Sequence, residues 1–181
     1  MKKTIIIIIS MMLLVGCSKN NSENESKLFN SLERAYVSVY ATDGVGLAVY
    51  GDEKTELNGK TWYLVATSKY NSMSKLSELV ESVYNEDLAQ SIEKNMTEKY
   101  KEIDGKLYTT SMNGCLLKYQ LTDNLQEEIK KDIKDIKYRG KKVTFKINNK
   151  KFTGKLDGDY YKFDEKIFGC EIELESQENK W

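Results

Sequence analysis

Apolar positions change their period along the chain, and the period predicts the elements. Ile5 to Val15 is apolar apart from Ser10. Leu28, Phe29, Leu32, Ala35, Tyr36 and Val39 then recur at three- and four-residue steps, which predicts an amphipathic helix over 25–40. Asp43-Gly44 ends it, and Val45 to Tyr50 suits a short strand. Asn58-Gly59 is a turn signal before a strand at Thr61 to Ala66. Leu76, Leu79, Val80 and Val83 share a helical face, with Ser72 or Ser74 as N-cap. A second helix begins near Asn85, with Glu86 and Asp87 complementing its dipole and Leu88, Ala89, Ile92 and Met96 in line.

From Tyr100 onward the period shifts toward two. Ile103 to Tyr108 reads as a hairpin around Asp104-Gly105, a pair suited to a type I′ turn. Cys115, Leu117, Tyr119 and Leu121 alternate with polar or outward residues, predicting a half-buried strand. Residues 123–138 fit either state. Asp123 and Gln126 have capping-box spacing, yet Ile133 to Ile147 also reads as a hairpin; a short helix to about Lys131 followed by a strand is favoured. Val143, Phe145 and Ile147 alternate cleanly, Asn148-Asn149 and Asp157-Gly158 mark turns, and Phe168, Cys170, Ile172 and Leu174 oppose Glu171, Glu173 and Glu175. Helices first and an antiparallel meander after them predict an α+β fold, with N-terminal helices packed on a curved antiparallel sheet.

The N-terminus changes the picture most. Lys2 and Lys3 precede an apolar run well short of the roughly 20 residues that cross a bilayer, and its length and flanks fit a secretory signal. Leu14-Val15-Gly16-Cys17 resembles the lipobox of bacterial lipoproteins. The resemblance implies removal of residues 1–16, a diacylglyceryl group on Cys17 and attachment at the extracytoplasmic face of the cell membrane. Two acyl chains suffice for stable anchoring. Residues 17–26 then form the lipidated Cys and a flexible tether, with an r.m.s. reach of roughly 17 Å, and 27–181 a single soluble domain. Abundant Lys, Asn and Ile with no Pro suits a low-GC Gram-positive source.

Loss of Lys2 and Lys3 leaves 26 basic against 28 acidic residues, a net charge of −2. Near-neutrality gives no general pull toward nucleic acid or anionic lipid. The chain has no His, which removes the usual general base, the Ser-His and Cys-His nucleophile pairs and the commonest zinc ligand. No motif calls for a cofactor or a metal. Cys115 and Cys170 are the thiols left after lipidation; they are either two core thiols or a disulfide, which an exported location allows. Acidic residues gather at Glu78, Glu81, Glu86 and Asp87, again at Asp123, Glu127 and Glu128, and along Glu171, Glu173 and Glu175. Such runs suit a solvated face or a docking surface for a basic partner, more than paired-carboxylate or calcium chemistry. Trp62-Tyr63, Tyr160-Tyr161 and Trp181 are candidates for stacking a ligand, or for filling a core.

The middle of the chain, Gly59-Lys60-Thr61-Trp62-Tyr63-Leu64 through Leu76, Leu79 and Tyr84, then Asn85 to Ala89, Tyr100 and Asp104 to Tyr108, resembles the secreted inhibitors of peptidoglycan DL-endopeptidases. The same order of elements is similar to lipoprotein domains of cystatin and nuclear-transport-factor-2 (NTF2) type. The first resemblance implies a non-enzymatic protein covering the cleft of an NlpC/P60-type cysteine peptidase through an acidic surface, here Glu78, Glu81, Glu86 and Asp87. A small-ligand (peptide or glycan) binder is the alternative, and a carboxylate-based glycan hydrolase the third reading.

Overall fold

The computed structural model describes residues 2–110 and 114–173, with side chains described for 21–110 and 114–171. The chain begins with α1, Lys2–Thr42, whose C-terminal half is the axle of the molecule. Leu28, Leu32, Ala35, Tyr36 and Val39 are buried as their spacing predicts. Ser31, Ser38 and Thr42 are buried too, and each hydroxyl donates to a carbonyl three or four residues back, at 2.6, 2.8 and 2.9 Å. That back-bonding satisfies them inside a helix that is covered nearly all round. Residues 18–26, expected as a flexible tether, continue the same helix. Glu23 pairs with Lys27 at 3.1 Å, and Glu25 with Lys130 of a later helix at 3.2 Å. Once a buried segment has nucleated a helix, each further turn forms at little cost.

The first sheet has the order β1 (Val49–Leu57), β2 (Lys60–Val65), β4 (Lys106–Thr110) and β3 (Tyr100–Ile103), all antiparallel. Between its hairpins run α2 (Met73–Glu81) and α3 (Glu86–Lys99). Asn58 and Gly59, and Asp104 and Gly105, take positive φ at the two tight turns, as type I′ hairpins require. The strand expected at 45–50 lies further on. β1 is exposed on both faces, so it carries no hydrophobic alternation to read, and its ladder to β2 alone places it.

β5 (Cys115–Leu116) pairs with β10 (Ile172–Glu173) in a two-stranded ladder. The expected strand at 115–121 therefore stops after two residues. Leu117 and Tyr119 are still buried and Lys118 and Gln120 exposed, so the side-chain alternation survives without a ladder. The reason is Tyr36: its hydroxyl donates to the Tyr119 carbonyl at 2.6 Å and accepts from the Tyr119 N–H at 2.7 Å. A side chain has taken the backbone groups that a neighbouring strand would use.

α4 (Leu125–Asp132) is followed by the meander β6 (Lys134–Arg139), β7 (Lys142–Ile147), β8 (Lys150–Asp157) and β9 (Tyr160–Phe163), in that spatial order. The favoured reading of 123–138 is the one observed. Its cap differs: Asn124 stands at the N-cap with no side-chain bond, and Gln126 instead donates across to Asn30 at 2.9 Å and Glu33 at 2.5 Å on α1. One face of the meander is core. Tyr138, Val143, Gly154 and Phe163 form a cross-strand row, and a Cβ on Gly154 would lie 2.8 Å from the Phe163 ring. Phe145 stacks on Phe152 and meets Phe163 edge-on.

The α+β class is observed, with two separate four-stranded sheets where one curved sheet was expected. The predicted strand from Phe168 shrinks to Ile172–Glu173, and Leu174, Glu175 and Trp181 lie outside the described residues. The buried core runs from Leu28 to Ile167, so a chain beginning at Ser18 retains all of it. Among the described residues no helix is long and apolar enough to cross a membrane.

Candidate functional site

The junction of α2 and α3 is built by matched caps. Ser72 Oγ accepts from Lys75 N–H at 3.2 Å to open α2, and Asn85 Oδ1 accepts from Leu88 N–H at 3.0 Å to open α3. The last turn of α2 has no basic residue of its own. Arg34 of α1 supplies one, donating to the Glu78 carbonyl at 3.3 Å and to Ser82 Oγ at 2.7 Å while lying over the Tyr160 ring. A cation there complements the helix dipole. Tyr84 bridges Phe163, so the residues between the helices extend the meander beyond β9; Phe163 N–H donates to the Val83 carbonyl, and Asn85 N–H donates to the Phe163 carbonyl.

These contacts leave a groove of about 350 Å³ between Glu81 at the end of α2, Glu86, Gln90 and Glu93 on α3, and Lys162 on β9. Glu86, Gln90 and Glu93 stand at i, i+4 and i+7, which puts them on one helix face. Glu93 is only partly exposed, and its Oε1 is buried without a hydrogen-bond partner. Burial, chiefly, and then the charge of Glu81 push its carboxyl above the ordinary glutamate value, while Ser77 offsets part of the shift. Tyr84 closes the floor. Its hydroxyl turns away to the Ala35 carbonyl and Ser38, and burial drives its phenol pKa well up. Two carboxylates at the rim and one underneath make a seat for a cation more than a pair for proton transfer.

Of the four acidic residues singled out from sequence, Glu81 and Glu86 line this groove. Glu78 and Asp87 are exposed but do not line it. Glu93 and Lys162 were missed. The i+7 step from Glu86 was a signal for the first; nothing local announces the second, since Lys162 arrives through the meander. Asp123, Glu127 and Glu128 are exposed at the start of α4, where Glu128 pairs with Lys131 at 2.9 Å. Glu171 is exposed, while the side chains of Glu173 and Glu175 lie outside the described residues. Trp62 is buried under Lys101, and Tyr161 is fully buried, so neither is displayed for stacking. The side chain of Cys17 also lies outside the described residues.

Cys115 and Cys170 form a disulfide, with Cα atoms 5.3 Å apart. Cys170 is exposed where its alternation placed it inward, because the chain around it is not a strand. Among the described residues no cluster of His, Cys, Asp and Glu could hold a metal ion. Compared with known proteins, the chain matches no family profile and no curated sequence.

Proposed function

We propose that this chain is an exported lipoprotein, held at the extracytoplasmic face of the cell membrane through diacylglyceryl-Cys17. We read it as a non-enzymatic binding or inhibitory module for a membrane-proximal cell-wall hydrolase, with an NlpC/P60-type DL-endopeptidase as the leading target. The N-terminal pattern supports the anchoring, and the order of elements supports kinship with cystatin- or NTF2-like domains. One observation carries the binding reading: Glu81, Glu86 and Glu93 converge on one groove, and a buried Glu93 oxygen there lacks a partner. A buried acceptor without a donor is costly, so a cationic group entering the groove relieves that cost.

The test is a pull-down with a chain beginning at Ser18 against wall fractions, followed by an assay of wall digestion. A captured peptidase, slowed digestion and at least tenfold weaker capture by Glu81→Gln/Glu86→Gln/Glu93→Gln are expected. Undiminished capture by that variant removes the groove from the reading. Anchoring is tested separately, because Cys17→Ser should leave an unprocessed chain that no longer carries lipid.

The groove's volume also suits a small ligand, for which roughly 300 Å³ is the lower bound. Its walls are mostly polar, which favours a cationic peptide or amino sugar over an apolar molecule. Capture of no peptidase, with saturable binding of a cationic muropeptide, would move the assignment there. Release of reducing ends from purified peptidoglycan would move it to glycan hydrolysis by the same carboxylates.

A further inference from the structure

Overall neutrality conceals a sharp segregation of charge. Residues 130–155 contain eleven Lys or Arg against Asp132 and Asp135 alone, a net +9 that the rest of the chain cancels. The meander turns most of that charge outward. Its register aligns Arg139, Lys142, Lys155 and Lys162 in one row across all four strands. Lys134, Lys146 and Lys151 make a second row, and Lys137, Thr144 and Thr153 run between them. Strands lie about 4.8 Å apart and alternate residues about 6.7 Å along a strand, so eight cations occupy a face roughly 14 Å on a side. Among the described residues carboxylates reach only two of them: Asp135 meets Lys146 at 2.7 Å and Asp157 meets Lys162 at 3.1 Å. Among the described residues Lys134, Lys137, Arg139, Lys142, Lys151 and Lys155 have no ion-pair partner. Between the rows a shallow depression of about 160 Å³ is edged by Lys137, Thr144, Lys146 and Lys151, with the Asp135 carboxylate, already paired with Lys146, at its side.

Like charges directly opposite on neighbouring strands repel. Evenly spread lysines would serve solubility equally well, so their concentration on one face makes that face complementary to an anionic surface. We propose that the β6–β9 face seats on the anionic phospholipid headgroups of the membrane, with the depression receiving one headgroup phosphate. The face is an open sheet surface. Its interior positions are Lys and Thr with no exposed aromatic to stack a base, which separates it from single-strand nucleic-acid platforms. Basic side chains near an anionic leaflet are each attracted appreciably, and that attraction supplements a lipid anchor. The proposal takes its location from the lipoprotein reading, but its chemistry stands independently of Cys17. Lys162 belongs both to this face and to the acidic groove, so a seated domain would hold the groove at the rim of the contact, beside the bilayer.

The experiment is flotation of the chain from Ser18 with phosphatidylcholine vesicles and with vesicles of phosphatidylcholine and phosphatidylglycerol at 7:3. Binding to the anionic vesicles should exceed binding to the neutral ones by at least tenfold and disappear in 0.5 M NaCl. Lys142→Gln/Lys151→Gln/Lys155→Gln should weaken it by roughly a hundredfold, since each basic residue near such a surface contributes about a fivefold factor. Lys60→Gln/Lys94→Gln/Lys106→Gln, of the same charge change on other surfaces, should bind like the parent. Equal binding to both vesicles, or equal loss in both variants, overturns the proposal. Two further outcomes overturn it by reassigning the face. Capture of linear polyphosphate without vesicle binding would give it to a soluble polyanion, and salt-sensitive self-association without vesicle binding would give it to the acidic groove of a second copy. Failure of Cys17→Ser to lose its lipid affects only the anchoring reading, because this assay contains no anchor.

Discussion

Tyr36 occupies the helix face that its spacing assigns it, and its hydroxyl then replaces a strand. Both backbone groups of Tyr119 depend on it, and burial, mainly, raises its own pKa to about 12. Tyr36→Phe keeps the ring contacts with Tyr119 and Phe168 but orphans a buried N–H and a buried carbonyl. The expected cost is about 1–3 kcal/mol, read as a fall of roughly 2–12 °C in the thermal midpoint. Glu93 works in the opposite direction. Its folded-state pKa lies above the ordinary value, so its ionisation disfavours the folded state once the pH exceeds that ordinary value. The penalty is complete above the raised folded-state pKa. Glu93→Gln should therefore melt higher than the parent at pH 7, and the gap should close as pH falls toward 4.5. A gap that is the same at both pH values would show that Glu93 carries no such strain. Periodicity foretold neither role, because both depend on what sits opposite.

At the scale of elements, local chemistry was the most legible. Asn58-Gly59, Asp104-Gly105 and Asn148-Asn149 are hairpin turns in the chain and in space, since few residue pairs tolerate two successive positive φ values. Ser72 and Asn85 cap the helices that their positions suggested. Gln126 shows the limit: its spacing suited a capping box, yet α1 lies close enough to take its amide instead. The lysine rows of the meander make a prediction of their own. Lys142 and Lys155 face each other across β7 and β8, so Lys155→Gln should relieve repulsion of about 0.2–1 kcal/mol. Thermal melts should place it up to about 4 °C above the parent at low salt, with the difference shrinking in 0.5 M NaCl.

For the whole molecule, the disulfide is the longest-range covalent constraint described. It closes a loop across a separation of 55 residues and ties the segment carrying β10 to the ladder of β5. In the chain-entropy picture such a loop is worth about 4 kcal/mol. Denaturant unfolding of Cys115→Ser/Cys170→Ser, or of the parent under reductant, should show a loss of that order. An unchanged midpoint would mean that the C-terminal segment contributes nothing to the cooperative unit.

The sequence by itself determined the elements whose signals are local: the helix faces, the two-residue turns, the α+β order and the absence of histidine chemistry. It also held the charge block at 130–155, which net charge averaged away. Only the tertiary structure decided that the strands split into two sheets, that Tyr36 ends the strand after Leu116, and that Cys115 meets Cys170. It alone brought Glu81, Glu86 and Glu93 together with Lys162, and aligned lysines from four strands into rows. Periodicity reports which way a side chain faces from its own backbone. What it faces is set by register and packing between segments far apart in the chain, and one sequence does not state those.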